Sequence, residues 1–115
     1  MKVNCDSIKP YEWGDRCQGW RLIDKTDLSI IQERMPPGTK EVRHFHKKAR
    51  QFFFVLRGTA HIEIDGSQYQ LSQQDGLEIP PEAPHQIFNE SNEYLEFLVV
   101  SCPTTAGDRV PSPAS

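Results

Sequence analysis

The sequence predicts an all-β fold, a sandwich or barrel of short strands. Three observations carry this: short apolar runs, turn residues that punctuate them, and no window with a sustained helical period. Prolines at six sites from Pro36 to Pro103 would interrupt any helix attempted there. At 115 residues the chain has room for one core.

Taken in order, residues 1–26 mix Tyr11, Trp13 and Trp20 with Gly14 and Gly19, and read as an ordered arm whose aromatics pack on the body. Residues 27–103 read as the barrel. Its strand candidates are Leu28–Met35, Gln51–Leu56, Ala60–Ile64, Tyr69–Leu71, Leu77–Ile79, His85–Phe88 and Tyr94–Val100. Asp65-Gly66 between two of these runs is a type I′ hairpin signal, because both central residues of that turn need positive φ. Residues 104–115, rich in Pro, Ser, Thr and Ala, read as a flexible tail. Within it, Gly107-Asp108-Arg109 either begins the tail or folds back over a barrel mouth.

Composition narrows the function classes. The net charge is −3, and basic residues are dispersed apart from Lys47-Lys48, so no cationic footprint for nucleic acid is present. Met1–Ser7 contains no apolar run, and neither a signal peptide nor a membrane span is expected. Cys5, Cys17 and Cys102 are odd in number and far apart, which argues against a disulfide framework and for a reducing cytoplasm. In Gln51–Leu56 both strand faces are apolar, which calls for cover on both sides. The N-terminal arm or a second subunit, making a homodimer, would supply the outer layer.

The chemistry concentrates on histidine. His44 and His46 flank a single residue, so on a strand both project from one face and form half of a first-row metal site. Pro80-Pro81-Glu82-Ala83-Pro84-His85 brings a third histidine from a separate strand. His61 lies on the polar face of Ala60–Ile64 and is expected to face solvent.

These residues resemble the two motifs of the cupin superfamily. The first motif is matched by Gly38, His44, His46 and Gly58, with Gln51 where a glutamate is expected. The second is matched by Pro80, His85 and Asn89, with Gln74 and Glu82 in place of two glycines. The resemblance spans about residues 28–101. It implies a single-domain jelly-roll β-barrel, a double-stranded β-helix, with one divalent transition metal (Mn, Fe, Co, Ni or Zn) on His44, His46, His85 and Gln51. Neutral imidazoles and an amide oxygen suit such an ion and leave positions open for water or substrate. Glutamine would leave the full charge of the ion uncompensated, favouring an anionic ligand; alternatively, Gln51 hydrogen-bonds a histidine without touching metal.

Around these ligands, Phe53 and Val55 share the face of Gln51. Glu33 has the parity of Ile31 and Met35 and either enters the barrel as a general base or sits in solvent or an ion pair. Two functional readings follow. One is a metal-dependent enzyme of lyase, isomerase or dioxygenase type acting on a small, oxygen-rich, anionic molecule. The other is a non-catalytic cupin that binds or senses a small ligand through the metal; a purely structural protein would leave three convergent histidines unused.

Overall fold

A computed structural model describes residues 1–114 and contains twelve strands and no helix among them. In chain order they are β1 (Tyr11–Trp13), β2 (Cys17–Asp24), β3 (Ser29–Met35), β4 (Thr39–Lys40), β5 (His44–His46) and β6 (Arg50–Arg57). There follow β7 (Ala60–Ile64), β8 (Ser67–Leu71), β9 (Gly76–Ile79), β10 (His85–Asn89), β11 (Leu95–Cys102) and β12 (Arg109–Pro111). One sheet runs β1-β2-β3-β11-β6-β9 and the other β12-β5-β10-β7-β8, with β4 also on β10. All pairings are antiparallel, and the fold is a jelly-roll barrel.

Alternation explains how these segments close on one core. In β11, Leu95, Phe97, Val99 and Ser101 are buried while the residues between them are more exposed. Their register partners in β6 are Val55, Phe53 and Gln51, and in β3 they are Met35, Glu33, Ile31 and Ser29. From the facing sheet, Ala60, Ile62, Leu71 and Ile87 join the same apolar cluster. Phe53 and Phe97 stack with centroids 5.7 Å apart.

The turns follow the sequence signals closely. Asp65 and Gly66 both have positive φ (49° and 90°), as a type I′ hairpin requires. Gly58 has φ 88°, and a Cβ there would lie 2.5 Å from the Tyr94 carbonyl oxygen, so no other residue fits. Gln74 and Glu82 hold φ 73° and 70° although neither is glycine. The backbone shape survives at both places with strained residues in it.

Two expectations change. The N-terminal hairpin β1–β2 extends the first sheet beside β3 and does not lie over Phe52 and Phe54, so Phe52 stays 41% exposed. In the segment expected as a flexible tail from 104, the described residues to 114 instead include a strand, β12, paired to β5. Its hydrogen bonds explain why: the Asp108 carboxylate accepts from the backbone N–H groups of Lys47, Lys48 and Ala49 at 3.0–3.1 Å. Arg43 Nη1 donates to the Ser112 carbonyl at 2.9 Å, while the same guanidinium grips Glu63 with two bonds of 2.7 and 3.0 Å.

Candidate metal centre

Cross-strand register assembles the site. β5 lies between β10 and β12, which sets His44 opposite His85 and His46 opposite Arg109. Directly opposed residues of an antiparallel pair hold their Cβ atoms about 5 Å apart, so the two strands fix the first two rings. All three histidines are buried, and one ring nitrogen of each lies within 4.8 Å of the others. His61 lies apart from them, partly exposed, with Nδ1 3.7 Å from Glu90.

Backbone carbonyls set two of the rings. His44 Nδ1 lies 2.7 Å from the Val42 oxygen and His85 Nδ1 lies 3.0 Å from the Ala83 oxygen. A carbonyl only accepts, so Nδ1 carries the proton and the lone pair is on Nε2. Burial holds the His44 ring well below the usual range, at about 3, and His46 at about 4; His85 is lowered too, again chiefly by burial. All three are therefore neutral at ordinary pH, the form that binds metal.

Gln51 lines the same cavity as His44 and His46. It stands opposite Ser101, and its Nε2 donates to the Ser101 hydroxyl at 3.1 Å, leaving the amide oxygen free. His46 Nδ1, His85 Nε2 and Gln51 Oε1 are buried without a hydrogen-bond partner among the described residues. An unpaired buried polar atom costs about 1–3 kcal/mol. Unpartnered nitrogens on two of three convergent histidine rings fit a cation better than they fit a closed core, and the three histidines could hold a metal ion.

His44, His46, Gln51 and Ser101 open on a cavity of about 170 Å³, which Tyr11, Glu33, Glu41, Phe53, Thr105 and Arg109 also line. Glu33 thus points inward, as its parity allowed, and Val55 packs in the core below. Burial raises the Glu33 carboxyl to about 8 against the pull of Arg109. Burial and then the Glu33 charge raise Glu41 to about 8. The Tyr11 phenol is pushed up to about 12 by burial, then by Glu33, while Arg21 stacks on its ring at 4.0 Å.

Sequence reasoning missed Tyr11, Glu41 and Ser101 as cavity residues, and reached Arg109 only as part of a segment that either begins the tail or folds back over a barrel mouth. Ser101 had a signal, since it continues the inward parity of Leu95, Phe97 and Val99. Glu41 lies between strands and Arg109 in an edge strand of three residues, where no periodicity can be read.

The family model for the Cupin domain matches residues 31–101. The chain belongs to the cupin family. An uncharacterized protein of Methanocaldococcus jannaschii is 28% identical to this cupin over 108 residues, covering 90% of this chain and 86% of that protein. A probable oxidoreductase of Aspergillus niger is 39% identical over 82 residues, 67% of this chain; the cupin spans only 32% of that protein's length. The polyketide cyclase RemF from Streptomyces resistomycificus shares the fold with a TM-score of 0.86 at 18% identity, covering 100% of this chain and 87% of that chain.

Two motif positions of this cupin now have physical reasons. The Asn89 amide donates to the carbonyls of Met35, Pro36 and Glu93 at 2.7–3.2 Å, pinning β10 to the end of β3. Glu82 takes the positive-φ position ahead of His85, and its N–H donates to the His46 carbonyl at 2.7 Å, tying that turn to β5. Arg109 Nη2 donates to the Val42 carbonyl at 3.2 Å, the same oxygen that orients His44.

Proposed function

We propose that this cupin is a metal-dependent enzyme for a small, oxygen-rich, anionic substrate. In this reading His44, His46 and His85 hold one divalent transition metal, with the Gln51 amide oxygen as a further ligand. The observation that carries it is the convergence of three buried histidines, with ring nitrogens of His46 and His85 left unpartnered, beside a cavity that His44, His46 and Gln51 line. Imidazole nitrogen with one neutral oxygen suits Mn, Fe, Co, Ni or Zn. A bound ion would supply Lewis acidity toward a substrate oxygen.

The protein's own residues do the rest. Ser101 turns the Gln51 amide so that its oxygen faces the histidines. Gln51 adds no negative charge, and Arg109 adds a positive one at the cavity wall, which together favour an anion. A cavity of about 170 Å³ suits a molecule of few heavy atoms, since about 150 Å³ accommodates benzene. Two carboxyls and a phenol beside the histidines supply the acid–base groups that a mere binding module has no need of. The enzyme names attached to the Aspergillus niger and Streptomyces proteins agree with this choice.

Elemental analysis of protein purified without chelator tests the first half, with one equivalent of metal expected per chain. Turnover of a panel of uronates, keto acids and diketones, with and without metal, tests the second. Metal retention with no turnover of any class favours the binding and sensing alternative. We also propose a homodimer through the outer face of the first sheet, where Phe52 pairs with Val100 and Phe54 with Leu98 in an apolar row. A monomeric mass in solution by light scattering would refute that pairing.

A further inference from the structure

Two carboxyl groups share the cavity with His44 and His46, and metal binding does not account for them. Glu33 enters from β3, opposite Phe97, and Glu41 from the segment between β4 and β5. Neither has an ion-pair partner within 4.0 Å among the described residues. One Glu41 oxygen accepts the Ile87 N–H at 3.1 Å, which fixes that side chain, whereas Glu33 makes no hydrogen bond among the described residues. A half-buried carboxyl on a rigid strand, presented to a cavity and unpartnered, is positioned for a ligand.

We propose that Glu33 and Glu41 are the acid–base pair of this cupin, and that its substrate is a small carbonyl compound bearing a hydrogen on the carbon next to the carbonyl. The proposal rests on the metal-site reading for orientation of the substrate oxygens. Glu33 carboxylate removes the proton from that carbon, and the C–H electron pair becomes a C=C bond. The C=O π pair moves to oxygen, where the Glu41 carboxyl delivers its proton. The product is the enol, with Glu33 now protonated and Glu41 ionised. Return of a proton to the same carbon, with Glu41 taking back the enol proton, exchanges the hydrogen with solvent. Where that carbon also bears a hydroxyl, return of the proton to the former carbonyl carbon, with loss of the proton of that hydroxyl as its oxygen becomes the new carbonyl, completes an isomerisation.

The roles follow from the surroundings. The charged and titratable groups facing the pair are Tyr11 and Cys17 from the N-terminal hairpin, Arg109 from β12 and the neutral His44 and His46 of β5 on the same cavity wall. The Glu33 charge raises Glu41, so when Glu33 is ionised Glu41 holds its proton and has one to give. Both titrate near 8, where a carboxylate is a far stronger base than at its ordinary value.

Pyruvate in D₂O is the probe. ¹H NMR follows loss of its methyl signal with the zinc-loaded protein, and the visible spectrum of the cobalt-loaded protein reports pyruvate binding. Wild type should exchange the methyl hydrogens above the zinc buffer control. Glu33→Gln should lower the rate about 100-fold or more, and Glu41→Gln less, with its pH profile moved. Both variants should keep the pyruvate-induced cobalt spectrum, which also shows that they fold. Binding without exchange in wild type, or equal exchange in Glu33→Gln, overturns the acid–base pair and leaves the metal site standing. A wild type that takes up no cobalt overturns the metal site itself, and with it this proposal.

Discussion

The interior of the barrel has two ends built on the same strands, and they differ in what they leave unsatisfied. Along β11 the inward residues run Leu95, Phe97, Val99, Ser101, and along β6 they run Val55, Phe53, Gln51. At one end Met35, Val55, Leu95 and Phe97 pack with no polar atom to satisfy. At the other, Gln51, His44, His46 and His85 are equally buried but leave acceptors without donors. Burial at the first end is favourable outright. Burial at the second withholds stability until a ligand arrives.

The largest test of that contrast is at the packed end. Phe97→Ala should destabilise the protein by about 3–5 kcal/mol in chemical denaturation, because its ring is fully buried against Phe53. A loss under about 1 kcal/mol would show that this end is loosely packed. Next comes the polar end. Zinc at 100 times its dissociation constant should raise stability by about 2.7 kcal/mol. His85→Ala should abolish most of that gain while changing the metal-free protein far less than Phe97→Ala does. A metal-free His85→Ala protein as unstable as Phe97→Ala would erase the distinction between the two ends.

Charge sharpens the comparison further. Gln51→Glu should tighten metal binding, read by competition with a chromogenic chelator, and weaken acetate binding to the metal-loaded protein. Unchanged acetate affinity at full occupancy would remove Gln51 from the metal's neighbourhood.

The acid–base groups give opposite pH signatures in the metal-free protein. The histidines are held below the unfolded value of 6.5, so the unfolded state binds more protons and stability falls as pH drops from about 7 toward 4. His44→Gln should therefore gain on wild type as pH falls from 7 to 5. Glu33 is held above its unfolded value of 4.5, so its contribution is present at low pH and lost as pH rises through about 8. Glu33→Gln should gain on wild type as pH rises from 5 to 8, and melting curves across that range decide both signs. The smallest effect lies at the strained turn: Glu82→Gly should add about 0.5–1 kcal/mol by relieving φ 70°.

Much of this cupin was written in local pattern. The strand runs, the Asp65-Gly66 turn and the parity that turns Glu33 and Gln51 inward all depend on neighbours in the chain, where a period of two is visible. The histidines were equally legible, since His44 and His46 share one strand face and His85 follows a proline-rich turn. The departures from glycine at Gln74 and Glu82 could be seen but not interpreted. The structure shows that the backbone keeps the glycine conformation there and carries strain.

Other features were decided only when the chain closed. Tyr11 reaches the cavity because its hairpin extends the sheet at β3, and Arg109 because Asp108 anchors β12 beside β5. The contacts that seat Asp108 and Arg109 join residues about sixty or more positions apart, with no period to announce them. The charge states of Glu33 and Glu41 also belong to the closed barrel, because desolvation depends on what surrounds a group and not on its sequence neighbours. The sequence by itself determined the strands of the central barrel, their inward face and the three histidines, but not the N-terminal hairpin or β12. Tertiary structure alone decided which other side chains share their cavity, because register across strands is a long-range property.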